Sequence, residues 1–270
     1  MPHIIHQEAG SAYDSLGERL DRIAAETAPL VRNVTQLDLP EPVVIRTMKV
    51  PHWKKAHRRA SKDQLKRESR EIGASSQSEA KRIRRQRLFS MRILWPTMLG
   101  QAVELEPGKP ELLILPEALQ LAGRLGDDPV LYKILAHEMT HLAQYCASGG
   151  AVWAAQDTLY PSLRGTEERD YSFLLEGHAY WADRQVTAKL FGKPVSTDEP
   201  SPDASSLYLK MFKSPLRSEA VERDRRSLDS VTSILEATGA ATFNRVWTDP
   251  DLTPLKSETS KPELWEQRMT

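Results

Sequence analysis

Cysteine is nearly absent from this chain, since only Cys146 among its 270 residues carries a thiol. A single cysteine cannot form a disulfide within the chain, and it cannot supply the several thiolates of a cysteine-based zinc site. A disulfide-stabilised secreted scaffold and a cysteine zinc domain are therefore excluded. Cys146 is expected to pack as a small apolar side chain, and a reducing compartment fits this composition best.

Long apolar runs are also absent. Nowhere do 18 apolar residues follow one another, and the first residues lack a basic stretch followed by an apolar one. These are the patterns of a membrane-spanning helix and of a secretory leader. We therefore expect a cytoplasmic protein without a membrane partner.

The chain lacks a net charge, because 37 Lys and Arg balance 37 Asp and Glu. This balance argues against a simple polyanion-binding protein. It nevertheless hides a split, since Arg46 to Arg92 contains sixteen basic and four acidic residues. The local excess predicts a helical, basic N-terminal region over residues 1–95, followed by a separate unit over 96–270.

Hydrophobic periodicity predicts a mostly helical α+β protein. A first helix is expected over Tyr13–Ala28, ending before Pro29, and a short strand at Val43–Ile45. The Gly73–Ser78 segment is expected to break the basic region into two helices. Further helices are expected at Pro116–Gly126, Val130–Ala147, Tyr171–Leu190, Pro215–Ala237 and Ala240–Trp247.

Two short apolar runs, Val103–Leu105 and Leu112–Leu115, are separated by the turn sequence Glu-Pro-Gly-Lys-Pro. This arrangement predicts a β-hairpin that precedes the helix over Val130–Ala147. That helix has good end signals, because Asp127 and Asp128 stand before Pro129 at its start and two glycines follow it.

The helix contains His137-Glu138-Met139-Thr140-His141. Residues four apart lie above one another on an α-helix, so the two imidazoles can bind one tetrahedral ion with Glu138 beside its open position. Zinc lowers the pKa of its bound water to about 7, and a glutamate can accept the released proton while that water attacks a carbonyl. We therefore predict one Zn²⁺ per chain, with Glu138 as the general base.

A catalytic zinc usually takes a third protein ligand. Glu176, in an apolar helical segment 35 residues after His141, is the first candidate, because a buried carboxylate is costly unless it is paired or metal-bound. Two alternatives remain open: Glu176 caps the first turn of its helix, or His178 is the ligand. Gly177 would let a neighbouring helix or the metal approach closely.

A helix with His137-Glu138-Met139-Thr140-His141, followed by a helix with Glu176-Gly177-His178-Ala179, resembles the gluzincin metallopeptidases. The likeness to actinobacterial zincin-like metallohydrolases, some of which carry a label from deazaflavin-coenzyme biosynthesis, covers roughly Arg84 to Arg268. It rests on Leu99-Gly100-Gln101, Leu112–Leu115, Leu142–Tyr145, Leu174–His178, Phe243–Pro250 and Leu252–Pro254. The resemblance implies a zincin-like α+β domain and zinc-dependent hydrolysis of peptide bonds.

One position departs from this pattern. Gluzincins often place an acidic residue four positions after the ligand glutamate to support a zinc-binding histidine, but this chain has Tyr180 there. Either Asp183 or the Tyr180 hydroxyl is expected to replace it. The group that stabilises the oxyanion is also open, and the candidates are Tyr171, His178, Tyr180 and Tyr208.

The resemblance also suggests where a peptide would bind. In zincins the strand beside the active-site helix has a free edge, to which an extended peptide can add through main-chain hydrogen bonds. Either run of the predicted hairpin could be that strand, and a hairpin that only covers the core is an equal alternative.

A second class of function rests on the basic segment. Residues 46–92 could recognise nucleic acid or an acidic protein partner in a binding protein that keeps the metal fold for stability. The more ordinary interpretation is that these are solvated helix faces, partly matched by the acidic Thr166–Asp170 and Ser218–Asp229 of this chain or of a second copy.

The favoured function is a zinc metallopeptidase acting on a peptide or protein.

Overall fold

The computed structural model describes residues 2–72 and 77–269. It is an α+β protein, mostly helical, as the sequence predicts. The strands are β1 His3–Glu8, β2 Val43–Met48, β3 Gly100–Glu106 and β4 Lys109–Ile114. The helices are α1 Asp14–Thr35, α2 Val50–Ile72, α3 Gln77–Leu94, α4 Pro116–Leu121, α5 Asp128–Ser148, α6 Ala151–Asp157, α7 Tyr171–Phe191, α8 Ser206–Phe212, α9 Pro215–Phe243 and α10 Pro262–Met269.

The four strands form one sheet in the order β1-β2-β4-β3. The predicted hairpin is confirmed, since β3 and β4 pair antiparallel. The sheet extends beyond it because β4 pairs parallel with β2, and β2 pairs parallel with β1. β4 is therefore an interior strand, and β3 is the edge strand of the hairpin.

The first helix is longer than predicted. The expectation that it ends before Pro29 is wrong, because α1 continues through this proline to Thr35. Proline removes one helical hydrogen bond, at a cost of about 3 kcal/mol. Val31 and Val34 lie on the buried face of the extra turns, and their burial in the core offsets that cost.

The main core lies between the sheet and the helices around α5 and α7. α5 packs on α1 and α7, and α9 packs on α7. Residues from both sides of position 95 meet here, since Ile45 of β2 pairs with Leu112 of β4 and both are fully buried. The proposed division into 1–95 and 96–270 stays a prediction, and the sheet crosses that position.

The basic residues lie mainly on α2 and α3, which pack against each other. Part of the predicted break, residues 73–76, lies outside the described residues, and Gln77 already belongs to α3. Buried Glu68 fixes α2 to the chain after α6, because its carboxylate accepts from Thr158 Oγ1 and the Leu159 N–H, each at 2.9 Å. Recognition of nucleic acid or an acidic partner by this segment stays a prediction.

Several helix ends differ from the predicted ones. α5 and α7 are confirmed nearly to the residue, but α4 stops at Leu121, before Gly123 with φ 65°. The predicted break between Pro215–Ala237 and Ala240–Trp247 is found, because the backbone of Gly239 within α9 is non-helical, with φ 77°. In the part of the chain that the structure describes, none of the helices has the length and apolar character that crossing a bilayer requires.

Candidate metal centre

The two motif histidines share one face of α5. The helix starts at the Asp127 cap, whose carboxylate accepts from the Val130 N–H at 3.2 Å, and it stops at Gly149 with φ 57°. In the middle of this rigid helix, His137 Nε2 and His141 Nε2 lie 3.2 Å apart. Their four-residue spacing therefore directs both Nε2 atoms to one point.

Glu176 of α7 faces the same point. Its Oε2 lies 3.3 Å from His137 Nε2, and its Oε1 lies 3.8 Å from His141 Nε2. Tetrahedral zinc with ligand bonds of about 2.0–2.1 Å would hold its ligand atoms about 3.3 Å apart. The separations of His137 Nε2 from His141 Nε2 and from Glu176 Oε2 match that spacing, and the three ligand atoms all lie within 4.8 Å of one another. His137, His141 and Glu176 therefore form a cluster that could hold a metal ion.

Glu176 reaches this position because α7 is held closely against α9 at Gly177. A Cβ on Gly177 would lie 2.2 Å from Ser227 Oγ and 2.7 Å from the Ser227 carbonyl oxygen. The Ser227 hydroxyl also donates to the Phe173 carbonyl oxygen. Gly177 therefore permits a close approach, as predicted, and the element that approaches it is helix α9.

Gly177→Ala is expected to lower the free energy of unfolding by about 1–3 kcal/mol, because the added methyl group forces α7 and α9 apart. Chemical denaturation would measure the change. Gly126→Ala is the matched control, since a Cβ there meets nothing within 4 Å. If the two variants had the same free energy of unfolding, close packing of α7 on α9 at Gly177 would not contribute to stability.

Asp183, rather than the Tyr180 hydroxyl, supports the first histidine. His137 Nδ1 donates to Asp183 Oδ2 at 3.1 Å, and Lys133 Nζ donates to the same oxygen at 2.9 Å. Asp183 is fully buried. The Tyr180 ring instead packs against the His137 ring, with centroids 4.6 Å apart. Donation from Nδ1 leaves the Nε2 lone pair of His137 available to a metal.

Gln144 gives the same support to the second histidine. Its Oε1 accepts from His141 Nδ1 at 2.8 Å, and its Nε2 donates to the Leu175 carbonyl oxygen at 3.0 Å. The same Nε2 lies 3.1 Å from His178 Nδ1. His178 is thus a neighbour of this support and lies outside the donor cluster, so the structure does not favour it as a ligand.

His178 is enclosed by aromatic rings, with Trp181, Phe243 and Trp247 centroids 5.2–5.6 Å from its own. Burial lowers its pKa to about 3, and the charge of His141 acts in the same direction. His178 is therefore neutral at physiological pH and acts in packing.

The cluster itself is strongly polarised. Burial lowers the pKa of His137, but hydrogen bonds to Asp183 and Glu176 outweigh it and raise the value to about 10. Burial likewise raises the pKa of Glu176, but the hydrogen bond from His137 and the positive charges of both histidines and Arg223 bring it to about 2. Without a metal, these two groups form a buried ion pair.

Glu138 projects from α5 to the edge strand. Its Oε2 accepts from the backbone N–H of Ala102 on β3 at 2.7 Å. Gly100 on the same strand is also close to α5, since a Cβ there would lie 2.6 Å from Ile134 Cγ2 and 3.2 Å from Glu138 Cγ. This contact places the edge of β3 beside the carboxylate predicted as the general base. Of the two predicted runs, Val103–Leu105 lies in the edge strand and Leu112–Leu115 belongs mainly to the interior strand β4.

An open cleft of about 2710 Å³ contains the cluster and is lined by residues of α2, α3 and β3. Of the four groups considered for oxyanion stabilisation, Tyr180 lines this cleft. Tyr171 packs in the main core, and Tyr208 packs against Phe212 on α8. Burial and the neighbouring carboxylates hold the pKa of Tyr180 well above its usual value, so its hydroxyl keeps its proton.

Sequence reasoning missed three polar residues of this site: Lys133, Gln144 and Arg223. Lys133 and Gln144 stand four residues before His137 and three after His141 on α5, so helical spacing could have found both. Arg223 comes from α9, and no local pattern connects it with the motif. It lines the cleft beside Glu176.

Comparison with known proteins identifies a similar fold. No family model matches the sequence, and none of the curated proteins matches it. The fold is similar to that of a solved structure from Chloroflexus aurantiacus, described provisionally as a hydrolase with a novel fold. The TM-score is 0.62 at 20% identity, and the match covers 93% of this chain and 89% of the other.

Proposed function

We propose that this protein is a zinc-dependent hydrolase of the gluzincin type that cleaves peptide bonds. The observation that carries the proposal is the arrangement of His137, His141 and Glu176, whose donor atoms all lie within 4.8 Å of one another. Two imidazoles and one carboxylate are a ligand set typical of catalytic zinc, in which one position stays open. The supporting contacts of Asp183 and Gln144 favour the same interpretation.

When bound, zinc would supply an acidified water and a Lewis acid for the substrate carbonyl. Glu138 would accept the proton of the attacking water and return it to the leaving amine. The Ala102 N–H holds one of its oxygens at 2.7 Å, which leaves the other oxygen for the proton. The Tyr180 hydroxyl, in the same cleft, would donate to the developing oxyanion.

The edge of β3 would bind the peptide. Among the described strands β3 pairs with β4 alone, so its other edge, apart from the Ala102 N–H that binds Glu138, can accept an extended substrate by main-chain hydrogen bonding. The contact between Ala102 and Glu138 puts that edge beside the general base. A peptide added there would present its backbone carbonyls to the metal cluster.

The test is a screen of peptide libraries with the purified protein, reading cleavage by mass spectrometry. We expect cleavage that a chelator abolishes and that one equivalent of Zn²⁺ restores. His141→Ala is the control, since it removes a ligand but keeps the other cleft residues. Cleavage that survives both the chelator and His141→Ala would contradict the proposal.

Zinc affinity is expected to rise with pH, because a proton must leave His137 before its Nε2 can bind metal. The pKa of His137 is raised to about 10, and that of Glu176 is lowered to about 2. Between pH 6 and 8 the first group is protonated and the second already ionised, so binding must release at least one proton and the dissociation constant should fall at least about tenfold per pH unit.

Competition with a chromogenic chelator at pH 6, 7 and 8, corrected for the chelator's own protonation, would measure this dependence. A dissociation constant that does not change with pH would contradict the assignment of His137 as a ligand.

A further inference from the structure

Two cations lie among the residues that line the cleft near the metal cluster, Lys133 and Arg223. Lys133 is neutralised directly, because its Nζ lies 2.9 Å from Asp183 Oδ2. Arg223 differs, since no carboxylate oxygen of the described residues lies within 4.0 Å of its guanidinium, although Glu176 and Asp224 are close enough to interact with its charge. A half-buried guanidinium without a carboxylate partner is costly to keep unless something else binds it.

The position of Arg223 is fixed by the packing of α9 on α7. It stands one helical turn before Ser227, the residue in closest contact with Gly177, so it lies on the face of α9 that meets α7. Its Nη2 donates to the Ser172 hydroxyl on α7. Its Nε is buried and has no hydrogen-bond partner. The guanidinium is therefore held rigidly, and its Nη1, for which the described residues provide no hydrogen-bond acceptor, is the donor left for the cleft.

The charge of Arg223 acts on the same site, since it is one of the cations that lower the pKa of Glu176. A metal bound to Glu176 would bring two further positive charges, against which the Glu138 and Glu176 carboxylates supply two negative ones. Lys133 and Asp183 cancel each other. The Asp224 carboxyl also belongs to this network, since burial and Glu176 raise its pKa to about 7 while the charge of Arg223 acts to lower it. The preference for an anionic group therefore rests on the Arg223 guanidinium itself, which lines the cleft without a hydrogen-bonded carboxylate.

We propose that Arg223 binds a carboxylate of the substrate close to the scissile bond, a role that rests on the proposed hydrolase function. A guanidinium suits this role because its planar donors match a carboxylate in a bidentate pair. That carboxylate comes either from the C-terminus of a short peptide or from an Asp or Glu side chain. The enzyme would then select peptides by this anion.

The first test measures binding without catalysis. Isothermal titration calorimetry would compare succinic acid monohydroxamate, which carries a carboxylate, with its methyl ester and with acetohydroxamate on the zinc-loaded protein. We expect the free acid to bind about 10- to 100-fold more tightly than the ester, because it adds a charge-assisted pair. Arg223→Gln should abolish this difference and leave acetohydroxamate binding unchanged, and Arg223→Lys should restore part of it.

Arg225→Gln is the matched control on the same helix, since Arg225 is exposed and pairs with Glu222 at 2.9 Å. It should keep the full preference for the free acid. Equal binding of acid and ester by the wild type, with acetohydroxamate still bound, would overturn the role of Arg223 and leave the hydrolase proposal standing. If none of the three probes bound the zinc-loaded protein more tightly than the metal-free protein, both the role of Arg223 and the hydrolase proposal would be overturned.

The source of the carboxylate is separated with peptides on zinc-loaded Glu138→Gln protein, which should bind substrate without cleaving it. The three peptides are acetyl-Ala-Ala-Ala, its C-terminal amide, and acetyl-Ala-Asp-Ala amide. Tighter binding of the first indicates a C-terminal carboxylate, and tighter binding of the third indicates an acidic side chain. Equal binding of all three would contradict recognition of a carboxylate.

Discussion

Glu138→Gln is expected to lower kcat/KM for peptide hydrolysis by about 100- to 10,000-fold while zinc stays bound. The amide has the same shape, and its oxygen can still accept the 2.7 Å hydrogen bond from Ala102. It cannot accept the proton of the attacking water. The loss should therefore fall on kcat, with little change in zinc content or in substrate binding.

Glu106→Gln is the matched control, because Glu106 is another carboxylate of β3 that lines the cleft, and it pairs with Lys109 at 2.9 Å. This variant should hydrolyse the substrate like the wild type. If Glu138→Gln retained more than about a tenth of the wild-type kcat, Glu138 would not be the general base.

Asp183→Leu is expected to have the second largest effect, because one buried carboxylate supports both the cluster and Lys133. Removing it leaves Lys133, which is 9% exposed, without a counter-charge, at a cost of about 3–5 kcal/mol in the free energy of unfolding. It also removes the acceptor of His137 Nδ1, which should weaken zinc binding by about 10- to 100-fold.

A double variant separates these two effects. Asp183→Leu with Lys133→Met replaces the buried ion pair by apolar side chains of similar volume, so most of the stability should return. Zinc affinity should stay low, because His137 still lacks its acceptor. Denaturation and chelator competition would measure the two quantities. Recovery of zinc affinity together with stability would contradict the assignment of Asp183 as the support of His137.

Local patterns predicted the elements that carry the site. The cap residues Asp127 and Gly149 mark the two ends of α5. The four-residue spacing of His137 and His141 places both imidazoles on one face of that helix. The hairpin could be predicted because its turn sequence is short and local. Glu176 could be proposed because an isolated carboxylate is costly in an apolar helix.

Contacts between distant parts of the chain could not be predicted in this way. β1 has alternating half-buried and exposed residues and no strong apolar pattern, and its partner β2 lies 40 residues further on. Whether Tyr180 or Asp183 supports His137 depends on the rotation of α7 about its axis relative to α5. Arg223 reaches the site through the α7–α9 contact at Gly177, to which no local motif points.

The metal content of the protein as isolated tests the central claim most directly. Inductively coupled plasma mass spectrometry of the wild type should find close to one zinc per chain, with the same content in Glu138→Gln and a loss of nearly all zinc in His141→Ala. A folded wild type with no bound metal, or a His141→Ala variant that retains the full content, would contradict a zinc site at His137, His141 and Glu176.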